Sequence, residues 1–228
     1  SLILEPGRSQ ASAAAVFRVI YNYLSSLPET GRPELYLFGL SLGTLASEAS
    51  PPVHAWLGDS FDGAVWAGPP FRSQLWRTVQ RDREEGSPAW RPTFEGGANF
   101  RVIGHGDSAH QNAADWGRVR VVYIAYPSDA IVFFEEGMFL RAPQWMNAPR
   151  AGDVSPLLRW FPIITALQVG VDMMFAAAVP PGRGHNYAVE DYIEAWSEVT
   201  ESPNWASADS GRLAKEIEAK TAMHSSSW

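Results

Sequence analysis

The sequence predicts an α/β fold: a mostly parallel sheet with helices on both faces. Three observations point there. Along the 228 residues, short apolar runs suited to buried strands alternate with segments of helical periodicity. The strongest strand, Arg118 to Tyr126, is a run of β-branched and aromatic residues that stops at Pro127. An earlier strand, Leu35 to Phe38, runs directly into Gly39-Leu40-Ser41-Leu42-Gly43 and then into a small-residue helix reaching Ala49.

Taken in order, Ser1 to Arg8 reads as a loop broken by Pro6 and Gly7, with Ser9 as the N-cap of a helix from Gln10 to Leu27. Val16, Phe17, Val19, Ile20, Tyr23, Leu24 and Leu27 give that helix a broad apolar face. Pro28 and Gly31 end it, and Pro33 leads into the Leu35 strand. Ser50-Pro51-Pro52 closes the following helix. Asp62 to Gly68 is a second buried strand, and Phe71 to Arg83 is helical with Phe71, Leu75, Trp76 and Val79 inward. Asn99 to Gly104 is a short strand, and the Arg118 strand follows. Phe133 to Pro149 is loop-rich. Leu157 to Val179 is apolar over nearly the length of a membrane span, but Arg159, Pro162, Gln168 and Asp172 interrupt it, which favours a buried or cap helix. Val189 to Val199 is amphipathic, and Arg212 to Met223 forms a last, more polar helix.

Composition narrows the function classes. Residues 1–228 suit a single domain, and 46% apolar content with ten tryptophans excludes a disordered chain. A net charge of −7 with no basic stripe argues against nucleic acid as a partner. The absence of cysteine excludes disulfides, thiolate metal sites and cysteine nucleophiles. No basic segment followed by an apolar one marks a signal peptide.

Gly-x-Ser-x-Gly alone is a weak signal, common in ordinary turns. Its placement between strand and helix makes Ser41 a candidate nucleophile on a sharp elbow, with the Leu42 N–H as an oxyanion donor. Such a serine needs an acid and a histidine later in the chain. Asp129, just beyond the strongest strand, is placed to receive the Nδ1–H of a histidine. His185, between Gly184 and Asn186 and just before an amphipathic helix, is the best-placed histidine; His54 and His224 lack such a context. His105, Asp107 and His110 compete, either as ligands of a metal, with Asp115 the one further candidate ligand, or through Asp107 as the acid. No further strong ligand stands near them, so no metal and no cofactor is expected. Glu48, Asp59 and Asp62 read as surface or capping carboxylates.

The segments Tyr36 to Gly43, Trp66-Ala67-Gly68-Pro69-Pro70, Tyr126 to Val132 and Gly184-His185-Asn186-Tyr187 together resemble one group of α/β-hydrolases. These are catalytic domains of largely uncharacterised bacterial proteins, frequent in actinobacteria and often preceded by several membrane-spanning helices. The resemblance covers Ser1 to about Ala206. It implies an α/β-hydrolase-like fold with Ser41 as nucleophile, Asp129 as acid and His185 as base. It also implies a soluble domain within a membrane-associated protein. A glutamate commonly precedes the serine in that group; here the residue is Leu40. Only a loop and one helix precede the elbow, where such a fold has several strands and a loop that donates one oxyanion N–H. The expectation is therefore the C-terminal portion of the domain, lacking its N-terminal strands.

The function expected is a serine hydrolase acting on an ester or related acyl bond of a small-molecule or lipid-like substrate. An acyltransferase using the same triad, and a non-catalytic domain of this fold that binds a lipid or partner, are the alternatives. The aromatic-rich segments within 133–180 are candidates for a cap over an apolar acyl group, against their plainer reading as core.

Overall fold

The computed structural model describes residues 6–58, 61–110 and 114–225. Strands β1 (Tyr36–Leu40), β2 (Gly63–Ala67), β3 (Phe100–Ile103) and β4 (Arg120–Ile124) form one sheet in the order β1-β2-β4-β3. Every pairing is parallel. The two central strands are buried almost throughout, which is why they read as unbroken apolar runs.

Successive residues on a strand face opposite sides, and each side has its own core. Ala64, Trp66, Val121 and Tyr123 pack with Phe17, Phe61, Trp76 and Phe133. Val65, Ala67, Val122 and Ile124 pack with Ala195 and Val199 on the other side. The first side holds α1 (Pro6–Ser25), α2 (Leu42–Glu48), α3 (Val53–Leu57), α4 (Gln74–Arg81) and the short α5 (Ala130–Phe133). The second holds α7 (Val189–Thr200), against which α8 (Ser207–Ser225) lies. Helix α6 (Ile164–Phe175) joins the first side's core through Ala166 and Val169 and packs on α5 and on the 3-10 turn Glu136–Phe139. This is the mostly parallel α/β architecture expected.

The register matters most for function. Leu40 pairs with Ala67, Ala67 with Ile124, and Ile124 with Ile103. All four strands therefore end in one row, and the residues that follow them emerge on the same edge of the sheet.

Several elements differ from the sequence expectation. Helix α1 already includes Pro6, a residue tolerated in a first helical turn, so Ser9 is not its cap. Only Phe17 of its apolar face is buried; Val16, Val19, Ile20 and Tyr23 stay exposed. Helix α3 was not anticipated. The apolar stretch from Leu157 is helical only from Ile164, because Pro162 supplies no N–H and Ile163 adopts φ 66°. Among the described residues no helix is long and apolar enough to cross a membrane. Phe133, Met138, Trp145 and Met146 belong to the core. Asp62 accepts the N–H of Leu35 at 2.6 Å, and Asp59 lies outside the described residues. Glu48 is not a surface carboxylate: it is buried under α2.

Candidate active site

Ser41 follows β1 and begins the turn into α2 at φ 56°, ψ −120°. A positive φ is strained for a residue with a side chain, by about 1–3 kcal/mol. The surrounding bonds enforce it. Ser41 N–H donates to Ala67 O at 2.9 Å, and Thr44 Oγ1 donates to the same carbonyl at 2.8 Å. Gly39 permits the approach of helix to strand, since a Cβ there would stand 2.5 Å from Thr44 N and 2.6 Å from the Gly43 carbonyl. Among the described residues the Ser41 hydroxyl makes no hydrogen bond and does not cap α2. Leu42, first in the helix, has no N–H partner within it.

Asp129 follows β4 and is wholly buried. Its Oδ1 accepts Ile131 N–H at 2.9 Å, capping α5. Its Oδ2 meets His185 Nδ1 at 2.6 Å and accepts the Tyr187 hydroxyl at 2.5 Å. Burial first, and then Asp129, raise the Tyr187 pKa well above the ordinary value, so this hydroxyl stays a donor. A carboxylate buried this fully requires such hydrogen-bond partners.

The His185 loop is held by its backbone. His185 N–H donates to Ala176 O at 2.7 Å, and Gly184 N–H to Ser128 Oγ at 3.0 Å. The ring lies over Gly68, the residue after β2. A Cβ at Gly68 would come within 2.5 Å of His185 Cε1 and 2.9 Å of Tyr187 Cε2. Ser41 N–H donates to the carbonyl of Ala67, the residue before Gly68, so Gly68 stands beside Ser41. Among the described residues His185 Nε2 is buried without a hydrogen-bond partner.

Asp129 and His185 are thus joined directly, and the ring is carried to the strand end beside Ser41. Ser41 Oγ and His185 Nε2 do not bond to each other here, as is common before substrate binds. The competing cluster disperses. His105 turns to Asp191, Asp107 to Arg91 and Gly104 N–H, and His110 to Glu198. Among the described residues no three His, Asp or Glu side chains converge as a metal site would require.

A family model described as "Alpha/beta-hydrolase family" matches residues 1–213. The chain belongs to that family. The α/β-hydrolase family is generally hydrolytic, and a hydrolase-type function follows for this member. No curated protein and no solved structure matches the chain.

Sequence reasoning about this α/β-hydrolase missed Gly68, Tyr187 and the supporting pair Tyr126 and Asp191. Tyr187 had a signal, two residues after His185 in a short motif. Gly68 had one too, as a glycine closing a buried strand.

Proposed function

We propose that the chain is a serine hydrolase that cleaves an ester or related acyl bond of a small-molecule or lipid-like substrate. The observation that carries this reading is the state of His185: Nδ1 bonded to buried Asp129, Nε2 unpartnered beside the Ser41 elbow. Asp129 fixes the tautomer with the proton on Nδ1, leaving the Nε2 lone pair as the base. Nε2 takes the proton of Ser41 Oγ as that oxygen attacks the acyl carbonyl. The Leu42 N–H stabilises the developing oxyanion. The imidazolium, stabilised by Asp129, returns the proton to the leaving alcohol and leaves an acyl-Ser41 ester. Water activated by the same nitrogen then releases the acid and restores Ser41. The route draws on side chains, backbone and water.

The test is a fluorophosphonate probe on the folded chain. Labelling should be lost in Ser41→Ala, and turnover of a p-nitrophenyl acyl ester with it. A folded wild-type chain that the probe leaves unlabelled sinks the proposal.

A further inference from the structure

We propose that His105 and Asp191 form a positioning pair that sets the His185 loop, so that His105 governs how well His185 serves Ser41. The proposal rests on the serine-hydrolase reading for its consequence, but its geometry stands apart from Ser41. His105 comes two residues after Ile103, the end of β3, and so emerges on the same sheet edge as Ser41, Gly68 and Asp129. Its Nδ1 lies 3.0 Å from Asp191 Oδ2. Asp191 stands in the first turn of α7 and is 2% exposed. It also accepts Gly106 N–H at 2.9 Å and the Tyr126 hydroxyl. Three donors on one buried carboxylate make it a junction whose geometry is shared by all of them.

That junction grips the His185 loop at both ends. At one end the His105 ring is the wall against which Gly182 rests: a Cβ there would come 2.7 Å from His105 Cδ2 and Nε2, and Gly182 has φ 85°. Gly182 N–H closes the loop by donating to Asn186 O at 2.9 Å. At the other end the Tyr126 hydroxyl accepts Ala188 N–H at 2.9 Å. The Tyr126 ring lies 4.5 Å, centroid to centroid, from that of Tyr187, which itself bonds Asp129. A second His–Asp pair therefore braces the segment that carries the first. Asp191 from α7 and Tyr126 after β4 face His105, and Asp107 on its own loop is held by Arg91 at 3.1 Å.

Truncating His105 removes the wall under Gly182 and one of the three Asp191 donors. A small displacement of a catalytic group is amplified in rate, since ~1 Å of misplacement can lower turnover about 100-fold. The comparison is wild type, His105→Ala and His105→Asn, whose amide can donate from near the Nδ1 position. Three quantities are read: kcat and KM for a p-nitrophenyl ester, the fluorophosphonate labelling rate, and solvent exchange of the downfield His185 Nδ1–H proton by NMR. The expected result is a fall of about tenfold or more in kcat and labelling rate for the alanine variant, with KM within about twofold. Proton exchange is faster, and the asparagine variant, which restores the donor to Asp191 but not the wall under Gly182, recovers all three in part. If His105→Ala lowers only the melting temperature, with kcat per folded molecule and proton exchange unchanged, the pair is a fold anchor and the proposal is overturned. If wild type is not labelled at all, the hydrolase reading fails, and the proton-exchange comparison alone still decides for or against the positioning pair.

Discussion

Replacing Glu48 by glutamine is expected to remove a pH-dependent weakness beneath the nucleophile helix. Glu48 closes α2 and is 8% exposed. It accepts the hydroxyls of Ser73 and of Tyr123, the latter at 3.0 Å. Burial pushes its pKa up from 4.5 to about 7, against the opposing pull of hydrogen bonds from Ser73, Tyr123 and the Leu75 backbone. Between those two values the folded chain holds a proton that the unfolded chain has released. Stability from this group is therefore complete below about pH 4.5 and is lost as pH rises through about 7. At ~1.4 kcal/mol per pH unit, a rise of this size corresponds to about 3 kcal/mol. Glutamine carries no charge at either pH, and its amide can accept from Tyr123 while donating to Ser73 Oγ. Thermal melting of wild type and Glu48→Gln at pH 5 and pH 8 isolates the effect, since every other titrating group is common to both. The two should melt within about 2–3 °C of each other at pH 5, where little of this stability has been lost. At pH 8 the variant should melt higher by about 6–12 °C, at the ~2–4 °C per kcal/mol typical of this chain length. Equal melting at both pH values, or a less stable variant at pH 8, would refute the idea that a desolvated carboxylate lies under the elbow.

Two substitutions test the site itself. Gly68→Ala places a methyl group 2.5 Å from His185 Cε1 and requires a side chain at φ 55°, so it should displace the ring. Labelling of Ser41 should slow about 100-fold or more while far-UV circular dichroism stays native; an unchanged rate would remove His185 from the chemistry. Asp129→Asn keeps the volume but frees the tautomer, and kcat should drop by about 10⁴ with KM little changed. A loss below about tenfold in steady-state turnover would mean that Asp129 supports the fold and does not orient a catalytic histidine.

What could be read in the sequence was what is local. The elbow is legible because strand, turn and helix are contiguous around Ser41, and Asp129 announces itself by following the strongest strand. What could not be read depends on register. Gly68 becomes a floor for His185 only because β2 lies between β1 and β4 and all three end in one row. Nothing near Gly68 in the chain encodes that neighbour, 117 positions away. The same holds for Asp191 and His105, which meet across 86 positions. Glu48 is a different case, a misreading of a signal that was present. Thr44, Leu45 and Glu48 form the inward row of α2 at helical spacing, so periodicity placed this carboxylate in the core with its neighbours. Residue type argued for the surface, and packing against Ser73 and Tyr123 overrode it. The apolar face of α1 shows the converse error. Its periodicity identified a stripe, but periodicity says only which residues share a face and not what lies opposite, and here Phe17 alone is buried. A functional site in this fold is therefore best sought in the loops that follow strands of equal register. Applied here, that rule finds Ser41, Gly68, Asp129 and His105 together, whereas motif reading finds Ser41 first and the histidine loop only through its partners.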